Sequence, residues 1–230
     1  MVFVVYVELK VFSRNHLESG FFHFYPKDLL HAVHQGIACV LVAALICGHL
    51  ESKHPTMTLD QLDAMLSKEV YIHYKNWCKK MGRHATACSH RFSRLRFGKE
   101  KWSSAPELAS VYKAAVVKTL MFWCTDYLKE NCSVDGGNLR YRTMDAFTRF
   151  QYLLDIHGPF FSPEQTAEVV RIGRKGLLLY QKLAYIDKQR TDSRRCYKII
   201  PKFHSFLELT FYIEQSNRNP RSLGILGIFF

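Results

Sequence analysis

Apolar residues recur at spacings of three and four along most of the chain. After Pro26, the residues Leu29, Leu30, Val33, Ile37, Val40, Leu41, Ala44 and Leu45 share one face, and the run closes near Gly48. This spacing predicts a helix. Thr58 and Gln61 form a capping box, in which the threonine accepts from a free N–H while the glutamine reaches back. Leu62, Met65, Leu66, Val70, Tyr74, Trp77 and Met81 follow on one face, and Gly82 suits the left-handed position past the end. Ser104 and Glu107 make a second box, predicting a helix from there to about Cys132 with a largely apolar middle at 111–128. Asp135-Gly136-Gly137 reads as a turn, and Asn138 caps a helix through Met144, Phe147, Phe150, Leu154 and Ile156 that Gly158-Pro159 stops. Ser162, Pro163 and Gln165 open a further helix reaching about Arg190. Gly173 and Gly176 inside it mark either a bend or a close helix crossing. A last helix follows Pro201 through Phe206, Leu207, Thr210, Phe211 and Ile213, and ends at residues 217–221.

Alternation of the strand type is absent except over residues 1–7. The pattern therefore predicts an all-α fold, a single domain of five or six helices with no substantial sheet. Residues 1–25 read as an irregular segment and 26–221 as the helical domain, with a basic loop at 83–103. Residues 222–230 (223–230 being LGILGIFF) read as an apolar tail, a non-native or truncated end.

Composition agrees with a packed domain: 230 residues, 48% hydrophobic and 23% charged. The formal charge of +12 is concentrated. Residues 79–101 hold eight bases against one acid, and 171–202 hold ten against two, which leaves the rest of the chain net acidic. Local basic patches attract polyanions, and they also occur as solvated helix ends and loops. Seven cysteines without a C-x-x-C pair, several inside apolar stretches, fit buried thiols in a reducing intracellular compartment, nuclear or cytoplasmic. The apolar run at 36–48 has 13 residues, short of a membrane span, and reads as a core helix.

Familiar catalytic patterns are missing. There is no phosphate-binding G-x-x-x-x-G-K-[ST] loop, no G-x-G-x-x-G, no H-E-x-x-H and no nucleophile elbow. The acids Asp126, Asp135, Asp145, Asp155, Glu208 and Glu214 show no spacing that selects a metal-binding triad. No catalytic residue and no cofactor is expected, and an enzyme is the less favoured class. Cys78, His84, Cys88 and His90 are of zinc-binding types. Their intervening gaps of five, three and one residues do not match paired structural ligands. A basic loop beside a buried cysteine is the expectation there.

Nucleic acid is the partner that the loop suggests. Arg91, Arg94, Arg96 and Lys99 interleave with Phe92, Phe97 and Trp102. In that arrangement the cations contact phosphates and the rings stack on bases. The alternative has the rings on the core and the charges in water. Two functions stay open: a basic helical module binding nucleic acid non-specifically, and a non-catalytic scaffold or protein-interaction domain. Whether both basic stretches lie on one face separates them.

From about Lys99 to Arg221 the chain resembles an uncharacterised helical family recurring in many copies in dinoflagellate algae. The resemblance is carried by Ser104-Ala105-Pro106-Glu107-Leu108, by Tyr112 to Lys118 (YKAAVVK), by Tyr180-Gln181, by Tyr197 to His204 (YKIIPKFH), and by Asn219-Pro220-Arg221. It implies a helical fold and a lineage, and no established activity. The chain departs from the family at Ile200, where an arginine is usual, and after Arg221, where a further basic helix is usual. The Pro-Lys-x-His element, here Pro201 to His204, is also similar to a segment near the end of cut-and-paste transposases, which would suit a mobile-element remnant.

Overall fold

Residues 38–51 are buried on every side and form the axis of the protein. The computed structural model describes residues 30–83, 87–132 and 138–220. The expectations for residues 1–25, the turn at 135–137, His84 and the apolar tail lie outside them. Helix α1 runs over 30–53, a wide kinked turn (Leu30–Ile37, broken at Gly36) followed by Ala38–Lys53. Helix α2 covers 59–80, with a wider turn at Leu66–Val70. Then come α3 (Ala114–Asn131), α4 (Leu139–Ile156), α5 (Pro163–Lys188) and α6 (Pro201–Ser216). Helix accounts for 68% of the described residues, and among them there is no strand or sheet beyond an isolated bridge between Phe160 and Arg218. The all-α expectation holds.

Two of the three capping boxes close as the sequence predicts. Thr58 Oγ1 accepts from Gln61 N at 3.2 Å, and Ser162 Oγ accepts from Gln165 N at 3.3 Å, each with the glutamine reaching back. Asn138 caps α4 by accepting from Tyr141 N. The third box does not form. Residues 104–113 are non-helical, and α3 starts only at Ala114. The N–H groups of Glu107, Leu108 and Ala109 instead reach the carbonyls of Phe97, Cys39 and Arg96 at 2.8–3.0 Å. Backbone partners supplied from elsewhere in the fold therefore replace the first helical turn.

A second correction concerns Gly48, which does not end α1. The helix continues to Lys53 with Gly48 inside it, because a Cβ there would collide with the Tyr197 hydroxyl. The longer helix Val33–Lys53 is apolar enough, by length and composition alone, to cross a membrane, but 94% of its apolar window is buried inside the protein. Gly173 and Gly176 mark a close crossing: a Cβ at either would press within 3.1–3.2 Å of the Phe150 or Phe147 ring of α4.

Several polar side chains inside the core are paired, while the Tyr112 hydroxyl has no hydrogen-bond partner among the described residues. His34 Nε2 and Gln151 Oε1 lie 2.8 Å apart, Trp77 Nε1 donates to Asp126, and Thr125 meets Thr148 at 2.7 Å. His49 on α1 differs. It is 6% exposed, and burial, aided by the cations Arg140 and Lys53 and by His54, pushes its pKa from 6.5 down to about 4. The unfolded chain therefore takes up a proton near pH 6.5 and the folded chain only near pH 4. Stability is untouched above this window and falls as pH drops through it. Melting curves at stepped pH check this, and His49→Gln is expected to flatten the decline. An equal slope in the variant would show that other groups cause it.

Candidate nucleic-acid interface

The basic loop turns inward at Gly98. Phe97 N, Gly98 N and Lys99 N donate to Ser93, Leu95 and Arg94 carbonyls, closing a single tight turn, and Gly98 leaves it at φ +65°. Only glycine adopts that region at low cost. The exit aims Lys99 into the protein, where it is fully buried. Its ammonium lies 3.2 Å from Glu51 Oε1 and donates to the carbonyls of Trp102 and Ser104 at 3.0 Å, and to that of Arg195.

This ammonium is the centre of a four-charge cluster. Glu51 also accepts from the Cys196 thiol at 3.0 Å and faces Arg190 at 3.7 Å. Asp187, 2% exposed, holds the 190–198 segment by accepting from Cys196 N at 2.8 Å and Tyr197 N at 3.1 Å. Burial, with Glu51 adding to it, pushes the Cys196 thiol well above its ordinary pKa, so it serves as a donor. The sequence reading missed Glu51, Asp187 and Cys196. Their one visible signal was an isolated acid at the end of an apolar run and another inside a basic stretch.

The consequence is that the two basic stretches meet. Arg195 N donates to Trp102 O at 2.9 Å, and the Arg194 guanidinium lies 4.0 Å above the Trp102 ring. Lys198 pairs with Glu107 at 2.8 Å. Lys101, Arg194 and Arg195 flank the half-buried Trp102. Among the described residues no ion pair closes on the side chain of any of the three: the two guanidinium groups bond to carbonyls (Met57, Asp192 and Arg194), and the Asp192 carboxylate, which accepts from Arg194 N at 3.1 Å, is the acid beside them. Arg190 and Lys198, by contrast, are neutralised by Asp192, Asp187, Glu51 and Glu107.

The proposed contact residues divide accordingly. Arg91 is exposed, while Arg94 and Arg96 are half-buried and bond to the carbonyls of Glu100 and Arg91. Three members must be withdrawn on geometric grounds. Lys99 is spent on buried partners. Phe92 and Phe97 are fully buried in an aromatic cluster, with Phe92 5.2 Å from Tyr74 and from Phe97 and 5.6 Å from Trp123. Rings with no surface cannot stack on a base. Trp102 keeps partial exposure, with the Arg194 guanidinium 4.0 Å and the Lys99 ammonium 5.6 Å from its ring centre. The zinc-type residues are also placed: Cys78 is buried, and Cys88 Sγ exchanges hydrogen bonds with the backbone of exposed His90. Among the described residues no three metal-binding side chains converge. Compared with protein-family models, curated proteins and solved structures, the chain matches none of them.

Proposed function

We propose that the chain binds nucleic acid non-specifically through the seam at Trp102. The reading rests on one observation: two basic stretches far apart in sequence are held against each other there by the buried Lys99 cluster. Lys101, Arg194 and Arg195 present positive charge beside a ring, with Arg91, Arg94 and Arg96 on the adjoining turn. Cations so placed suit a phosphate backbone, and a guanidinium lying on an indole offers a flat cationic platform for an unpaired base. No base-edge reader is part of the reading, so the binding is indifferent to sequence. A mobile-element origin, drawn from the resemblance at Pro201 to His204, is compatible with such a module.

A salt titration of binding to a labelled single strand tests it. Each phosphate contact releases about 0.7 of a counterion, so K101A/R194A/R195A is expected to flatten the log–log slope by roughly 2 units. Affinity should fall for every sequence alike. No binding at low salt, or an unchanged slope in the variant, would end this reading.

The scaffold alternative is favoured by one feature. Leu178, Tyr185 and Ile186 on α5 are 50–56% exposed at spacings that share a side. A chain that ignores nucleic acid and self-associates in sedimentation would fit that alternative instead.

A further inference from the structure

Helix α5 buries one side against α4 and α6 and leaves the opposite side in water. From its third turn onward that outer side carries Arg171, Lys175, Leu178, Lys182, Tyr185 and Ile186, all exposed. At helical geometry the six positions share an arc of about 100° and run for about 22 Å. Three are cations and three are large apolar residues, alternating along the axis. The acids of the helix lie elsewhere. Glu164 and Glu168 are in its first two turns, with Glu168 paired to Arg149 of α4, and Asp187 is buried. On the α6 side Arg174 is paired to Glu214 and covers the Phe211 ring at 4.6 Å, so that border is neutral. Arg171, Lys175 and Lys182 close no ion pair among the described residues.

We propose that this outer side of α5 is a docking surface for anionic membranes, used with the helix lying flat on the lipid headgroups. A surface that mixes lysine and arginine with exposed aliphatic and aromatic side chains gains from both parts of such an interface. The lysine stems run along the apolar side chains and carry their ammonium groups to lipid phosphates and carboxylates. Leu178 and Ile186 enter the boundary below the headgroups, and Tyr185 suits that depth with an apolar ring and a polar tip. The helix remains part of the fold, because Val169, Ile172, Tyr180 and Leu183 on its inner side are core residues. Insertion is therefore limited to the length of a side chain.

Two other occupants fit this surface less well. A second copy placed symmetrically would set three cations against three cations. Nucleic acid would use the charges and gain nothing from exposed Leu178 and Ile186, which face a hydrated polyanion in that arrangement. The surface is independent of the Trp102 seam, since it shares no residue with it. Each cation near an anionic bilayer contributes about fivefold in affinity, so docking through three is reversible and weakens with salt.

The test is co-sedimentation of the full chain with vesicles, either of phosphatidylcholine alone or with one lipid in three replaced by phosphatidylserine. Wild type should bind the anionic vesicles and leave the neutral ones. R171Q/K175Q/K182Q should lose roughly 100-fold in vesicle affinity. L178S/Y185S/I186S, with its charge intact, should also lose binding, which separates insertion from simple attraction. Both variants, checked for folding by circular dichroism, should hold a labelled single strand as wild type does, and K101A/R194A/R195A should keep vesicle binding. No wild-type binding to anionic vesicles at low salt would overturn the proposal. So would full binding by the charge variant, full binding by a folded apolar variant, or a fall in strand binding in place of vesicle binding. Wild type and the charge variant decide the matter even if the apolar variant fails to fold. Self-association in sedimentation that L178S/Y185S/I186S abolishes would assign the surface to a second copy instead.

Discussion

Lys99→Ala is expected to lower the melting temperature by about 10 °C or more, although the residue sits in a loop rich in exposed charge. Removing one member of a buried ion pair costs about 3–5 kcal/mol, because the other charge is left in a poor solvent, and in a chain of this size 1 kcal/mol moves the midpoint by roughly 2–4 °C. Here the group left behind is Glu51, whose side chain is 2% exposed, with only Arg190 at 3.7 Å and the Cys196 thiol to compensate. The carbonyls of Trp102, Ser104 and Arg195 lose a donor at the same time. The cause can be separated from packing. Adding Glu51→Gln to Lys99→Ala removes the stranded charge, so the double variant should be more stable than the sum of the two single losses, by about 1–2 kcal/mol. Thermal unfolding followed by circular dichroism measures both. A loss under 2 °C for Lys99→Ala would mean that the ammonium is not buried in solution. The same substitution should also weaken the proposed nucleic-acid binding, since it unfastens Arg194, Arg195 and Trp102 from one another although Lys99 is itself buried.

Gly98→Ala should cost about 3 kcal/mol, the second large effect, combining a strained backbone with a steric one. Gly98 has φ +65°, and a Cβ there would lie 2.7 Å from Glu107 O and 2.8 Å from Glu107 N. Both are backbone atoms in a segment tied to Phe97, Cys39 and Arg96, so they cannot swing aside. Gly82 supplies the control. Its φ is +63°, but nothing lies within 4 Å of the added Cβ, so Gly82→Ala pays the conformational cost alone, about 1 kcal/mol. Chemical denaturation of both variants gives the difference. Equal losses would show that the Gly98–Glu107 approach is relaxed in solution. Because Gly98 aims Lys99 inward, its substitution should also disturb the Trp102 seam, which intrinsic tryptophan fluorescence can follow.

The sequence by itself determined what depends on neighbours along the chain. Helix spacing, the boxes at Thr58–Gln61 and Ser162–Gln165, the Asn138 cap and the stops after Ile156 and Ser216 are local chemistry, satisfied within a turn or two. The box at Ser104–Glu107 has the same local credentials and does not close, because distant carbonyls at Cys39 and Phe97 capture the N–H groups that a helix would have used. Gly48 likewise carries a helix-ending signal that Tyr197, about 150 residues away, overrides by packing against the bare backbone.

The candidate interface divides in the same way. Its positive charge was legible, since charge is a property of composition. Which cations reach water was not. Phe92 and Phe97 alternate with arginines exactly as a stacking surface would, and only the assembled core, with Trp123 and Tyr74 beside them, makes them interior. Lys99 looks like its neighbours in sequence and becomes a buried staple because Glu51 from α1 and the carbonyl of Arg195 converge on it. A long-range ion pair leaves no periodicity to read. The tertiary structure alone decided it, by bringing an acid from one third of the chain and a base from another into a place too dry for either to stand alone.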